Sequence, residues 1–110
     1  MLTCFRICGD SMSPGLNRGD YVVAARWLRR PRARQLVVIR HPVYGVIVKR
    51  MVKKNACGYW FESDNPCGVT QDEIGALAKN QIIGRVLFSV RASVRAARPV
   101  ASRYPDKRVC

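Results

Sequence analysis

Gly45-Val46-Ile47-Val48-Lys49-Arg50-Met51-Val52 is the stretch whose reading decides the fold. It is a run of β-branched and apolar residues, broken only by one Lys-Arg pair and opened by a glycine. Such a run reads as a β-strand. Alternation places Ile47, Lys49 and Met51 on one face and Val46, Val48, Arg50 and Val52 on the other. If the first face turns inward, Lys49 is stripped of water between two large apolar side chains. Burial disfavours its charged form. A neutral amine near pH 7 can act as a general base, which a guanidinium cannot. The competing reading is an edge-strand lysine that discourages aggregation.

Working outward, β signals dominate. Thr3–Ile7, Tyr21–Trp27, Leu36–Ile39, Tyr59–Glu62 and Ile82–Val90 read as further strands, with Gly84 marking a bulge or a close approach. Pro14 fits the first turn of a short helix, and Gln71–Lys79 reads as a second one. Arg29–Arg34, with Pro31 inside it, reads as an exposed loop. Short strands with turns at every ten residues or so predict a mainly β fold, a small folded sheet or partial barrel with one or two short helices. Residues 1–90 form the expected domain. Residues 91–110 form an expected basic tail, disordered or amphipathic.

Gly9-Asp10-Ser11-Met12-Ser13-Pro14-Gly15-Leu16 puts a serine on a tight turn between an apolar run and a proline. A serine hydroxyl becomes a nucleophile when a nearby base removes its proton. Ser11 and Lys49 together offer a Ser–Lys dyad, a variant of serine hydrolase chemistry. Gly9 lets the backbone come close to a substrate carbonyl, and the backbone N–H groups of Asp10 and Ser11 are the expected oxyanion donors. The plain alternative makes Ser11 an N-cap. Ser13 is a rival nucleophile whose place before Pro14 suits a cap better. His41 is a competing base, with Asp20 or Asp64 as third member, although its seat beside Pro42 suits a turn.

The chain has 110 residues, 48% of them hydrophobic, which suits one domain with one modest core. Twenty Lys and Arg against seven Asp and Glu give a net charge of +13, which favours acidic proteins, nucleic acid or anionic lipid as partners. The surplus is concentrated at Arg26, Arg29, Arg30, Arg32 and Arg34 and again from Arg85 onward, where Arg91, Arg95 and Arg98 recur at helical spacing. No apolar run approaches the roughly 20 residues that span a bilayer. A cytoplasmic protein, peripheral to the membrane at most, is expected. Five cysteines without an export signal are expected as reduced thiols. No metal or other cofactor is expected, because no zinc-like spacing is present.

The motifs G-D-S-M-x-P-x-L (Gly9–Leu16), R-G-D-Y-V-V (Arg18–Val23), V-I-V-K-R (Val46–Arg50), S-D-N-P (Ser63–Pro66) and I-I-G-R-V (Ile82–Val86) occur in that order. The ordered set resembles the serine peptidase clan of LexA-type self-cleaving repressors and type I signal peptidases. It is most similar to the stand-alone nickel-type superoxide dismutase maturation proteases. The resemblance runs from about Phe5 to Val90. It implies a LexA/signal-peptidase-like β fold, Ser11 as nucleophile and Lys49 as general base. Met12, Pro14, Gly19, Asp20, Arg50, Asp64 and Asn65 would shape or brace the site. The chain departs from the clan at Gly9, where signal peptidases place a hydroxyl residue, and at Thr70–Gly75, which replaces an Asp-Ser-Arg segment. The implied function is cleavage in trans of a precursor protein with small residues before the cut, a superoxide dismutase precursor being the suggested one. The alternative is a non-catalytic basic module binding nucleic acid or peptide on the same scaffold.

Overall fold

A computed structural model describes residues 1–91 and the backbone of 108–109. Seven strands, β1 (Leu2–Ile7), β2 (Tyr21–Ala25), β3 (Leu36–His41), β4 (Gly45–Asn55), β5 (Gly58–Glu62), β6 (Ile82–Val90) and β7 (Arg108–Val109), form one sheet in the order β5-β4-β3-β6-β2-β1-β7. The first six pair antiparallel; β7 runs parallel to β1. The protein is mainly β, as the alternation predicts. Apart from Arg91 and Arg108–Val109, the expected basic tail lies outside the described residues.

Alternation divides the sheet's side chains between two apolar clusters. Phe5, Ile7, Val22, Ala24, Val38 and Val48 pack together with Met12 and Leu16 from the turn after β1. Val37, Ile39, Ile47, Met51, Phe61 and Ile82 fill the opposite face, covered by Ile74 and Leu77. The covering segment is pinned to β5 by paired backbone hydrogen bonds of 2.8 Å between Tyr59 and Leu77.

Three elements differ from expectation. Strand β2 stops at Ala25, where Leu28 N–H turns back to the Ala25 carbonyl and Arg85 N–H holds the Leu28 carbonyl. The predicted 71–79 helix is one turn, α1 (Gln71–Ile74), opened by a Thr70–Glu73 capping box and stopped by Gly75 at φ 74°. A 3₁₀ turn follows at Lys79–Gln81. The segment around Pro14 forms turns rather than a helix, and the Ser13–Pro14 peptide is cis. Gly84 marks a close approach, since a Cβ there would collide with the Ala25 carbonyl oxygen. The expectation of reduced cysteines holds for Cys4, Cys57 and Cys67, which are free, and fails at Cys8, which is disulfide-bonded.

Candidate active site

Strand β4 lies between β3 and β5, so Lys49 is not an edge lysine. Val37 stands directly opposite it on β3, and Ile47 and Met51 flank it on its own face. The side chain is 1% exposed. Burial lowers the amine from its ordinary 10.5 to about 8, with the Asp64 carboxylate pulling in the opposite direction. Lys49 Nζ is 2.6 Å from Ser11 Oγ.

Ser11 is held by its neighbours rather than by regular structure. Ser13 N–H donates to the Asp10 carbonyl (3.1 Å) and Leu16 N–H to that of Met12 (2.9 Å). Met12 and Leu16 are buried in the core and anchor that turn from beneath. From the far side, Asn65 N–H donates to the Ser11 carbonyl and Asn65 Nδ2 to the Asp10 carbonyl, both at 2.8 Å. Asn65 Oδ1 accepts from Cys67 N–H at 3.0 Å, which fixes the amide's orientation.

Asp64 is bound on three sides. Its carboxylate takes two bonds from the Arg50 guanidinium, at 2.8 and 2.7 Å, and its N–H points at Met12 Sδ (3.4 Å). Arg50 also donates to the Arg34 carbonyl at 2.7 Å. Gly19, at φ 92°, donates to the Ile7 carbonyl, and the Asp20 carboxylate accepts Asn17 N–H at 2.9 Å. These contacts close the loop that returns from Ser11 to β2. Ser13 is not an N-cap: its hydroxyl donates to Asn17 Oδ1 at 3.0 Å. Pro14 is exposed on the outside of the turn.

His41 is committed elsewhere. Its Nδ1 accepts the N–H groups of Val43 (3.0 Å) and Tyr44 (3.2 Å), which leaves the proton on Nε2 for the Ile74 carbonyl at 2.8 Å. The ring lies 4.7 Å from that of Tyr44 and so supports it. Of the two suggested third members, Asp64 is engaged with Arg50 and Asp20 accepts Asn17 N–H.

Ser11 and Lys49 open into a cleft of about 520 Å³. Gly9, Asp10, Asn65 and Gly68 bring backbone and amide groups to it; Tyr44, Ile47, Cys67 and Val69 supply most of its apolar wall. Alternation already puts Ile47 on the Lys49 face. Tyr44, Cys67, Gly68 and Val69 carry no local signal, because they reach the cleft only through tertiary folding. Among the described residues no group of three or more His, Cys, Asp or Glu converges to hold a metal ion.

The chain matches the family described as Peptidase S24-like over residues 1–87. It belongs to that family. The match takes in Ser11, Lys49 and every strand from β1 to most of β6. A peptidase-like scaffold of the S24 type therefore frames the cleft. No curated protein matches the chain. Ser11 and Lys49, which the S24-like fold brings together, are 38 residues apart in sequence.

Proposed function

We propose that this protein is a serine endopeptidase that cleaves a precursor protein in trans with Ser11 as nucleophile and Lys49 as general base. The observation that carries the reading is a fully buried lysine, lowered to about 8, at 2.6 Å from a serine hydroxyl in an open cleft. At pH 7 an amine of pKa 8 is neutral about a tenth of the time, against about three parts in ten thousand at 10.5. Ser11 Oγ bonds to the scissile carbonyl carbon as its proton passes to Lys49 Nζ. The tetrahedral oxyanion faces the backbone N–H groups of Asp10 and Ser11. Its collapse breaks the C–N bond, and Lys49 returns the proton to the leaving amine. Water, deprotonated by the same lysine, then attacks the acyl-enzyme and releases Ser11.

Small residues before the cut follow from the family resemblance, and the precursor of a nickel-type superoxide dismutase is the substrate we put forward. Gly9, Met12, Pro14, Asp64 and Asn65 shape the turn and hold it. Residues 1–90 act as the peptidase domain, working in the cytoplasm. The test is phosphonate labelling of Ser11, read by intact mass across pH, for wild type, Ser11→Ala and Lys49→Ala. A single adduct on wild type that increases with a midpoint near 8, and is lost in both variants, is expected. Equal labelling of wild type and Lys49→Ala removes lysine as the base. No labelling at all favours the non-catalytic binding module.

A further inference from the structure

Every Asp and Glu among the described residues lies in 10–20 or 62–73, the segments that frame the cleft. From Met1 to Gly9, from Tyr21 to Phe61, and from Ile74 to Arg91, there is none. The outer face of β1, β2 and β6 lies within this acid-free part. In register, Cys4 stands beside Val23 and Val23 beside Phe88; Arg6 stands beside Tyr21 and Tyr21 beside Val90. Leu2, Phe88 and Val90 are each more than half exposed, and Leu87 is 42% exposed.

Next to this apolar face, the turn after β2 presents Trp27, 58% exposed. Trp27, Leu28, Arg29, Arg30, Lys79 and Arg85 line a shallow depression of about 330 Å³. Arg85 also lines the adjoining hollow beside Leu87 and Phe88, so the basic depression and the apolar face are continuous. Arg6, Arg26 and Arg91 are exposed around them.

We infer that this face docks the protein on an anionic lipid bilayer. Exposed aliphatic and aromatic side chains rimmed by arginines match the two layers of such a surface, acyl boundary and headgroup phosphate. Charge complementarity selects a negative partner, and the aliphatic content selects lipid over nucleic acid. Leu2, Leu87 and Val90 have no face on which a base can stack, whereas they partition readily into the acyl boundary. Trp27 lines the basic depression, and an amphipathic ring is favourable at a headgroup boundary. Strand β1 runs the length of this face, from Leu2 at the end near the turn after β2 to Arg6 at the end near Gly9.

The test is sedimentation of the full chain with vesicles of equimolar phosphatidylcholine and phosphatidylglycerol, beside vesicles of phosphatidylcholine alone. Trp27 emission is followed in a Trp60→Phe background. Binding to the anionic vesicles only, weakened by salt and accompanied by a blue shift, is expected. The pair Arg26→Gln/Arg30→Gln should lower partitioning roughly 25-fold, about fivefold per cation. The pair Leu2→Ser/Phe88→Ser should abolish the blue shift. Phosphonate labelling of Ser11 should be unchanged in both, which separates this surface from the site. Binding to neutral vesicles alone, no vesicle binding, or binding that survives both pairs overturns the inference. So does a Phe88-dependent dimer that forms without lipid.

Discussion

Replacing Lys49 with methionine should make the protein more stable near neutral pH. Burial lowers the amine from 10.5 to about 8, a difference of 2.5 in pKa. At about 1.4 kcal/mol per unit, the native state near pH 7 carries a cost of about 3 kcal/mol for holding a proton that the unfolded chain holds readily. Methionine fills similar space without charge, while the bond to Ser11 Oγ is lost, worth about 1 kcal/mol. A net gain of about 2 kcal/mol follows. Its pH dependence has a definite sign. Above 10.5 neither state binds the proton and the cost vanishes; between 10.5 and 8 only the unfolded state binds it, so wild-type stability falls as pH falls. Below 8 both bind and the cost levels off. The methionine variant's advantage should therefore shrink by about 1 kcal/mol on going from pH 7 to pH 9. Urea denaturation of both proteins at the two pH values measures this, and taking the difference cancels other titrating groups. A variant less stable than wild type near pH 7, or an advantage indifferent to pH, would refute the argument that desolvation sets the lysine's state.

Asn65→Ala removes the Nδ2 bond to the Asp10 carbonyl and the acceptor for Cys67 N–H. Labelling of Ser11 by the phosphonate should slow about tenfold or more, with a loss of about 1–2 kcal/mol in urea titrations. Asp64→Asn removes the charge that raises Lys49, so the midpoint of the labelling profile should move to lower pH; Arg50→Gln leaves that charge unneutralised and should move it upward. A shift of the same sign in both variants would sink that account. Gly84→Ala forces a Cβ against the Ala25 carbonyl and Arg26 Cα, both backbone. A loss of about 2 kcal/mol or more is expected, read from the urea midpoint.

The strands were legible because their patterns are local. Alternation in β4 and the apolar runs of β1, β3 and β5 carry the strand period in the residues themselves, and bounds differ by a few residues at the ends. What fixed those ends was not local: Arg85 N–H holds the Leu28 carbonyl in the turn that ends β2, and Tyr59 holds Leu77 where a longer helix was expected. Ser11 and Lys49 could each be named from chemistry and motif. Their 2.6 Å separation, the Asn65 bonds to the turn and the cleft wall of Tyr44, Cys67 and Val69 depend on segments brought together by the fold. The Cys8 disulfide belongs to the same class of information, since a thiol's partner is a matter of tertiary approach.

Lys49 and Arg50 are adjacent cations, and the strand period gives them opposite surroundings. A buried lysine next to a free carboxylate would keep its proton, because an opposite charge in a dry site favours the ammonium. Asp64 is close enough to have that effect on Lys49. The pleat turns Lys49 inward, against Val37, and leaves Arg50 on the other side, where it takes both oxygens of Asp64. The carboxylate's charge is thereby met by a guanidinium that never gives up its proton. Desolvation is then the larger influence on the amine, and a base of pKa about 8 results. Exchanging the two residues would put an arginine on the buried face and a lysine in water. The same composition, shifted by one position, would put no buried amine beside Ser11 Oγ.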